Sequence, residues 1–255
     1  MTLLSVEHVT HHFAGLRALA DFNLHLEPGE LVAVIGPNGA GKTTVFNLIT
    51  GVYRPTAGRI LFRGKEISGR PSHYIVNSGI ARTFQNIRLF RSLSVLDNVR
   101  AAQYDQARYS VFESILGLSR FKGAESAIRE RSMELLSIFG LVDMAEVRAS
   151  SLPYGQQRRL EITRALATRP SLLLLDEPAA GMNPTEAEQL MDLIHRIHKE
   201  FDLTILLIEH QMRVVMGTAQ RIVVIDFGET IAQGTPEEIR NDPKVIKAYL
   251  GEETE

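Results

Sequence analysis

The stretch Leu31 to Thr44, LVAVIGPNGAGKTT, decides how the rest of the chain is read. Five apolar residues, Leu31 to Ile35, run without alternation into Gly36, the pattern of a strand buried on both faces. Gly36 to Thr43 then keeps the spacing G-x-x-x-x-G-K-[ST] of a phosphate-binding loop. Gly36, Gly39 and Gly41 permit turns that a β-carbon would obstruct. With Pro37, Asn38 and Ala40 they form a loop whose N–H groups can converge on one anion. A helix starting near Lys42 adds the positive end of its dipole. The spacing assigns Lys42 to the β- and γ-phosphates of a nucleotide and the Thr43 hydroxyl to Mg2+. Thr44 supplies a further phosphate contact.

Upstream of the loop, Leu3 to Val9 and Ala18 to Leu26 alternate apolar and polar residues, as half-buried antiparallel strands do. Downstream, helix Lys42 to Thr50 is followed by short strands at Arg59 to Arg63 and Ile80 to Phe84. From Ser94 to Ala167 the periodicity is helical, with Ile128, Leu135, Leu136 and Phe139 on one side and Gly140 as a C-cap. Strands return at Leu172 to Leu175, Thr204 to Ile208 and Arg221 to Asp226, with a helix from Thr185 to Glu200 between the first two. Thr235-Pro236-Glu237-Glu238 reads as a capping box. The expected fold is α/β: a P-loop NTPase core with a parallel sheet, an N-terminal antiparallel β region and an inserted α-helical lobe. Residues 1–86 and 168–255 form the core and 87–167 the lobe of a single domain, 1–255.

Composition narrows the field. The formal net charge is −2 and basic residues are scattered, so no global basic field points to nucleic acid. There are no cysteines, which excludes disulfides, zinc–thiolate sites and thiol nucleophiles. MTLLSVEHVT lacks a basic region followed by an apolar segment, so no signal peptide is expected. No apolar run approaches the roughly 20 residues that span a bilayer. His8, His11 and His12 come without a carboxylate pattern that would complete a metal site. His195 and His198 are expected to face solvent.

The run LLLLDE, Leu172 to Glu177, is the second nucleotide signal. A buried parallel strand delivers carboxylates at its carboxyl end, where open α/β sheets place ligands. Asp176 is expected to hold Mg2+ and Glu177 to polarise the attacking water as general base.

Together GPNGAGKTT, TFQN with Gln85, LPYGQQRRLEI, LLLLDEP and IEHQM with His210 resemble an ABC-transporter nucleotide-binding subunit over nearly the whole chain. The resemblance implies an ABC ATPase fold, ATP with Mg2+, and ATP hydrolysis coupled to transmembrane transport. It implies that Gln85 links the two lobes and senses Mg2+, the γ-phosphate or the attacking water. His210 would bond the γ-phosphate and orient Glu177, Phe13 would stack on adenine, and Ala18 would let the base approach. Tyr154, Gly155 and Gln156 would close over the ATP of a second ATPase subunit, identical or different. Pro153 and Tyr154 depart from the usual Leu-Ser-Gly-Gly-Gln at this place, and Asn183 stands where an aspartate is usual.

PYGQQRRLEI, EPAAGMNP, IARTFQNIRLF and the terminal GTPEEIRNDPKVIKAYLG resemble ATPases of branched-chain amino acid importers. The implied partners are transmembrane permease subunits, docked on a groove lined by Ile87, Leu89, Phe90 and Leu93, and indirectly an extracytoplasmic substrate-binding protein. The implied place is the cytoplasmic face of the cell membrane, held peripherally. The alternatives are the ATPase of a related transporter, for urea, short amides or an exported lipid, and a soluble ABC ATPase.

Overall fold

The structure, a computed structural model, describes residues 2–104 and 119–250. Residues 105–118 of the expected helical stretch, and Gly251 of the terminal motif, lie outside the described residues. The chain divides into two compact units, Met1–Gln85 with Ser171–Glu255, and Asn86–Pro170.

The first unit contains two sheets. Strands β1 (Leu4–Phe13), β2 (Leu16–Leu26), β4 (Ala57–Phe62) and β5 (Lys65–Glu66) pair antiparallel in the order β2-β1-β4-β5. A second sheet has the order β10-β9-β3-β8-β7-β6. Its strands are β3 (Leu31–Ile35), β6 (Ile80–Arg82), β7 (Leu172–Asp176), β8 (Thr204–Ile208), β9 (Arg221–Asp226) and β10 (Glu229–Gly234). All neighbours in it are parallel except β9 and β10. Every residue of β3, β7 and β8 is buried, which is why these strands are apolar runs without alternation.

Helix α1 (Lys42–Ile49) leaves β3 through the phosphate loop and sends Val45, Phe46 and Ile49 into a core shared with Leu4, Phe22, Leu24, Val34 and Ile208. Helix α2 (Ser72–Ser78) precedes β6.

Strand β1 runs to Phe13 rather than stopping at Val9. Its register with β2 shifts between Val6 and Val9, again before His11, and again before His12. Each bulge breaks the two-residue alternation on which the sequence reading depends. Strand β10, ETIAQG, is an edge strand with no apolar alternation and gave no signal.

The second unit is helical. Helix α3 (Val95–Ala101) starts at Ser94, whose hydroxyl accepts from the Asp97 N–H at 3.0 Å. Helix α4 (Ser119–Ile138) buries Ile128, Leu135 and Leu136, and Gly140 follows it with φ +66°. Helix α5 (Tyr154–Ala167) buries Leu160, Ile162 and Leu166.

The first unit also contains α6 (Pro184–Glu200), α7 (Met212–Thr218), α8 (Pro236–Arg240) and α9 (Pro243–Leu250). Thr235 and Glu238 make the reciprocal cap expected for α8. His198 is half-buried rather than free in solvent: its ring Nε2 lies 2.8 Å from the Gly29 carbonyl, which ties α6 to the turn before β3. His195 is exposed.

Candidate functional site

Register brings the chemistry to one edge of the parallel sheet. Val34 of β3 pairs with Ile208 of β8, and Ile208 pairs with Asp176 of β7. The residues that follow these three positions, the phosphate loop, Glu177 and Glu209–His210, therefore leave from one row. This is the carboxyl edge of the sheet, where ligands bind in such folds.

The loop itself is held tightly. A β-carbon on Gly36 would stand 1.9 Å from the Ile225 carbonyl oxygen, so the loop can pass β9 only as glycine. Lys42 is buried, and its ammonium donates to the carbonyls of Gly36 at 2.6 Å and Pro37 at 2.7 Å. Pro37 and Ala40 are buried, Asn38, Gly39 and Thr43 exposed, and Thr44 half-buried.

A cavity of about 690 Å³ joins Asn38, Gly39, Gly41, Lys42, Thr43 and Thr44 to Glu177 on one side and to Phe13 and Ala18 on another. Leu16, Arg17 and Phe227 also border it. Its size is that of a small-molecule site. Phe13 meets His11 edge-on at 4.6 Å and Tyr53 edge-on at 5.1 Å, so its ring is braced from two directions.

Glu177 is the meeting point of the polar residues. It has φ +44°, a strained conformation for a residue with a side chain and one that clusters at functional sites. Its N–H donates to the Ile208 carbonyl at 2.8 Å. The Gln85 amide donates to its carboxylate at 2.7 Å, and the Nδ1 of His210 lies 3.7 Å from the same oxygen. Asp176 is buried, and its Oδ2 accepts from Arg82 at 2.7 Å. Tyr154, Gly155 and Gln156 belong to the other unit, at the start of α5.

Pro153 is the N-cap of α5 and offers no side-chain cap, unlike the serine it replaces. In the next turn Arg158 is wholly buried, paired with Glu161 at 2.7 Å.

Two residues at the site escaped the sequence reading. Arg82 lies three residues before Gln85 in a quoted motif, and its charge inside a strand was a signal. Glu209 is fully buried beside His210. One of its oxygens accepts the Ala179 N–H at 2.9 Å; the other accepts those of His210 at 2.9 Å and Gln211 at 3.1 Å. The amide of Gln211 returns to the Ala179 carbonyl at 3.0 Å. An acid directly before the histidine, at the end of an apolar strand, was its only mark in the sequence.

A phosphate loop leading off a parallel sheet, an acidic pair at the end of a strand of the same sheet one strand removed, and a helical unit inserted between the two in the sequence define an ATP-binding cassette. The chain belongs to the ABC transporter family, whose profile matches residues 19–180. A second profile, "Branched-chain amino acid ATP-binding cassette transporter", matches residues 229–255.

The chain is 49% identical over 250 residues to the high-affinity branched-chain amino acid transport ATP-binding protein LivG of Escherichia coli (strain K12), covering 98% of each chain. Among solved structures it is similar to the ADP conformation of MJ1267, an ATP-binding cassette of an ABC transporter. The TM-score there is 0.83 at 28% identity, over 98% of this chain and 99% of that one. It is also similar to the dimeric post-hydrolysis state of the cassette MJ0796 bound to ADP and Pi. That match has a TM-score of 0.77 at 25% identity, over 91% of this chain and 98% of that one.

Proposed function

We propose that this chain is the ATP-binding and ATP-hydrolysing subunit that energises an importer of branched-chain amino acids. The observation that carries the reading is the convergence on Glu177: the Gln85 amide at 2.7 Å, His210 at 3.7 Å, and a shared cavity with Lys42 and Thr43. Near-identity in length and 49% identity to LivG support the transported class.

In this reading Glu177 takes the proton of the attacking water. The Gln85 amide keeps the carboxylate turned toward the cleft, and His210 bonds the γ-phosphate from the other side. Lys42 and the loop N–H groups hold the triphosphate, with Thr44 adding a contact, and Phe13 stacks on the base while Ala18 lets it approach. The polar groups offered to Mg2+, the Thr43 hydroxyl, the Gln85 amide oxygen and the Asp176 carboxylate, are hard oxygens. No group of three or more His, Cys, Asp or Glu able to cage a metal occurs among the described residues. That donor set fits an ion that keeps its waters and arrives with substrate phosphates. When bound, Mg2+ would neutralise charge on the phosphates.

The other half of each site comes from a second ATPase subunit, through Tyr154, Gly155 and Gln156 at the N-terminus of 14-residue α5. No helix among the described residues is long and apolar enough to cross a membrane. In this reading the chain works peripherally, at the cytoplasmic face, by docking on transmembrane permease subunits served by an extracytoplasmic substrate-binding protein. Phe90 and Leu93 are exposed in the second unit, with the Arg164 guanidinium 5.3 Å over the Phe90 ring, and offer the docking surface.

Reconstitution with the permease subunits in vesicles tests this. ATP should drive leucine uptake, and Glu177→Gln should bind ATP as tightly as wild type while uptake and hydrolysis fall at least about a hundredfold, the scale of a lost general base. Hydrolysis by Glu177→Gln at the wild-type rate would remove Glu177 from the mechanism.

A further inference from the structure

The nucleotide cleft has an apolar mouth that no assigned residue accounts for. Besides Phe13, two large apolar side chains border it: Leu16 and Phe227, 73% and 84% exposed. Both are fixed by two-residue hairpin turns. Ala14 and Gly15, between β1 and β2, have φ +43° and +97°; Phe227 and Gly228, between β9 and β10, have φ +44° and +81°.

Positive φ at both central residues is the primed turn that suits twisted hairpins, and asparagine, aspartate or glycine normally opens it. Phenylalanine at φ +44° in an exposed turn is strained and solvated, so neither local folding nor burial explains it.

The turn is also fastened to the phosphate loop. The Gly228 N–H donates to the Ala40 carbonyl at 3.0 Å, and its own carbonyl accepts the Ala20 N–H at 2.9 Å. A β-carbon on Gly228 would stand 2.6 Å from the Ala18 carbonyl oxygen. Phe227 is thereby carried on the loop that grips the phosphates, at the cleft end that also holds Phe13 and Ala18.

We propose that Phe227, with Leu16, forms a second apolar wall of the base slot, so that the purine is gripped by this turn as well as by the Phe13 ring. The inference rests on the reading of the cleft as an ATP site. It identifies the contact as one to the base and ribose, not to the phosphates.

Calorimetric titration of the purified chain with Mg-ATP and, separately, with Mg-triphosphate separates the possibilities. Phe227 is exposed, so Phe227→Ala should fold normally. Phe227→Ala should weaken ATP roughly three- to tenfold, a fraction of a base–aromatic stack, and leave triphosphate affinity unchanged. Leu16→Ala should do the same to a smaller degree, and Phe227→Tyr should restore the wild-type value. Equal loss for both ligands would mean a distorted phosphate loop and would overturn the proposal. So would an ATP affinity within twofold of wild type, the result expected if Phe227 serves only the neighbouring cavity it also borders, with Lys244 and Lys247. A wild-type chain that binds triphosphate but gains nothing from the adenosine would sink both this proposal and the ATP reading, whereas failure of Phe227→Ala alone leaves the latter standing.

Discussion

Arg82 is held by hydrogen bonds and rings from several elements beside the site. One guanidinium nitrogen donates to Asn47 at 2.7 Å and Thr50 at 3.2 Å, both on the stretch of chain that follows the phosphate loop. The other donates to Asp176 at 2.7 Å. The rings of Phe46 and Phe84 lie 5.4 Å and 5.1 Å from its centre. Only 7% of the Arg82 side chain and 5% of Asp176 reach solvent. Removing one member of such a pair strands the other charge in a dry site. Arg82→Met should therefore lower stability by about 3–5 kcal/mol in urea unfolding, whereas double replacement with Asp176→Asn should recover part of that loss.

The pairing follows from the β6–β7 register. Arg82 sits opposite Leu174, and Asp176 lies two residues further along the same face. The sequence contained both residues but not the register, so the acid could be read, and the strand arginine noticed, without their pairing being legible. The phosphate loop was legible because its chemistry is contiguous; Glu209 and Phe227 were not, because their contacts lie across loops distant in sequence.

At the level of elements, the N-terminus of α6 shows what Asn183 does in place of the usual aspartate. Its Oδ1 accepts the Glu186 N–H at 3.0 Å, and the Glu186 carboxylate accepts the Asn183 N–H at 3.0 Å. The capping role needs an acceptor oxygen, not a charge. Asn183→Ala should destabilise the chain by about 1 kcal/mol, and Asn183→Asp should melt at or slightly above the wild-type temperature because its charge suits the helix dipole. Thermal unfolding of the three proteins checks the order. Strands and helices that alternate or carry caps were readable in this way. Strand β1 beyond Val9 was not, because each bulge resets the pattern, and β10 was not, because an exposed edge has no apolar face to show.

At the scale of the whole molecule, the second unit supplies residues that the first cannot use alone if two copies close around ATP. Glu177→Gln blocks turnover in the proposed mechanism and should trap that state. Light scattering should then give twice the mass of one chain, about 57 kDa against 28.4 kDa, with Mg-ATP and the monomer value with Mg-ADP. A monomer under both conditions would mean that the closing contacts need the permease subunits. The alternation of strand and helix is enough to indicate the parallel sheet, because strands buried on both faces read as unbroken apolar runs. What the pattern did not carry was which loop ends would be bound to one another.

Glu209 shows why that matters. A single carboxylate fastens the N–H groups of His210 and Gln211 to that of Ala179, and Gln211 closes the ring back to Ala179. The loop that carries Glu177 and the loop that carries His210 are therefore cross-linked at this point. In the proposed dimer, a displacement of the backbone at Ala179 would be handed to His210 through one carboxylate, so neither loop could shift without the other.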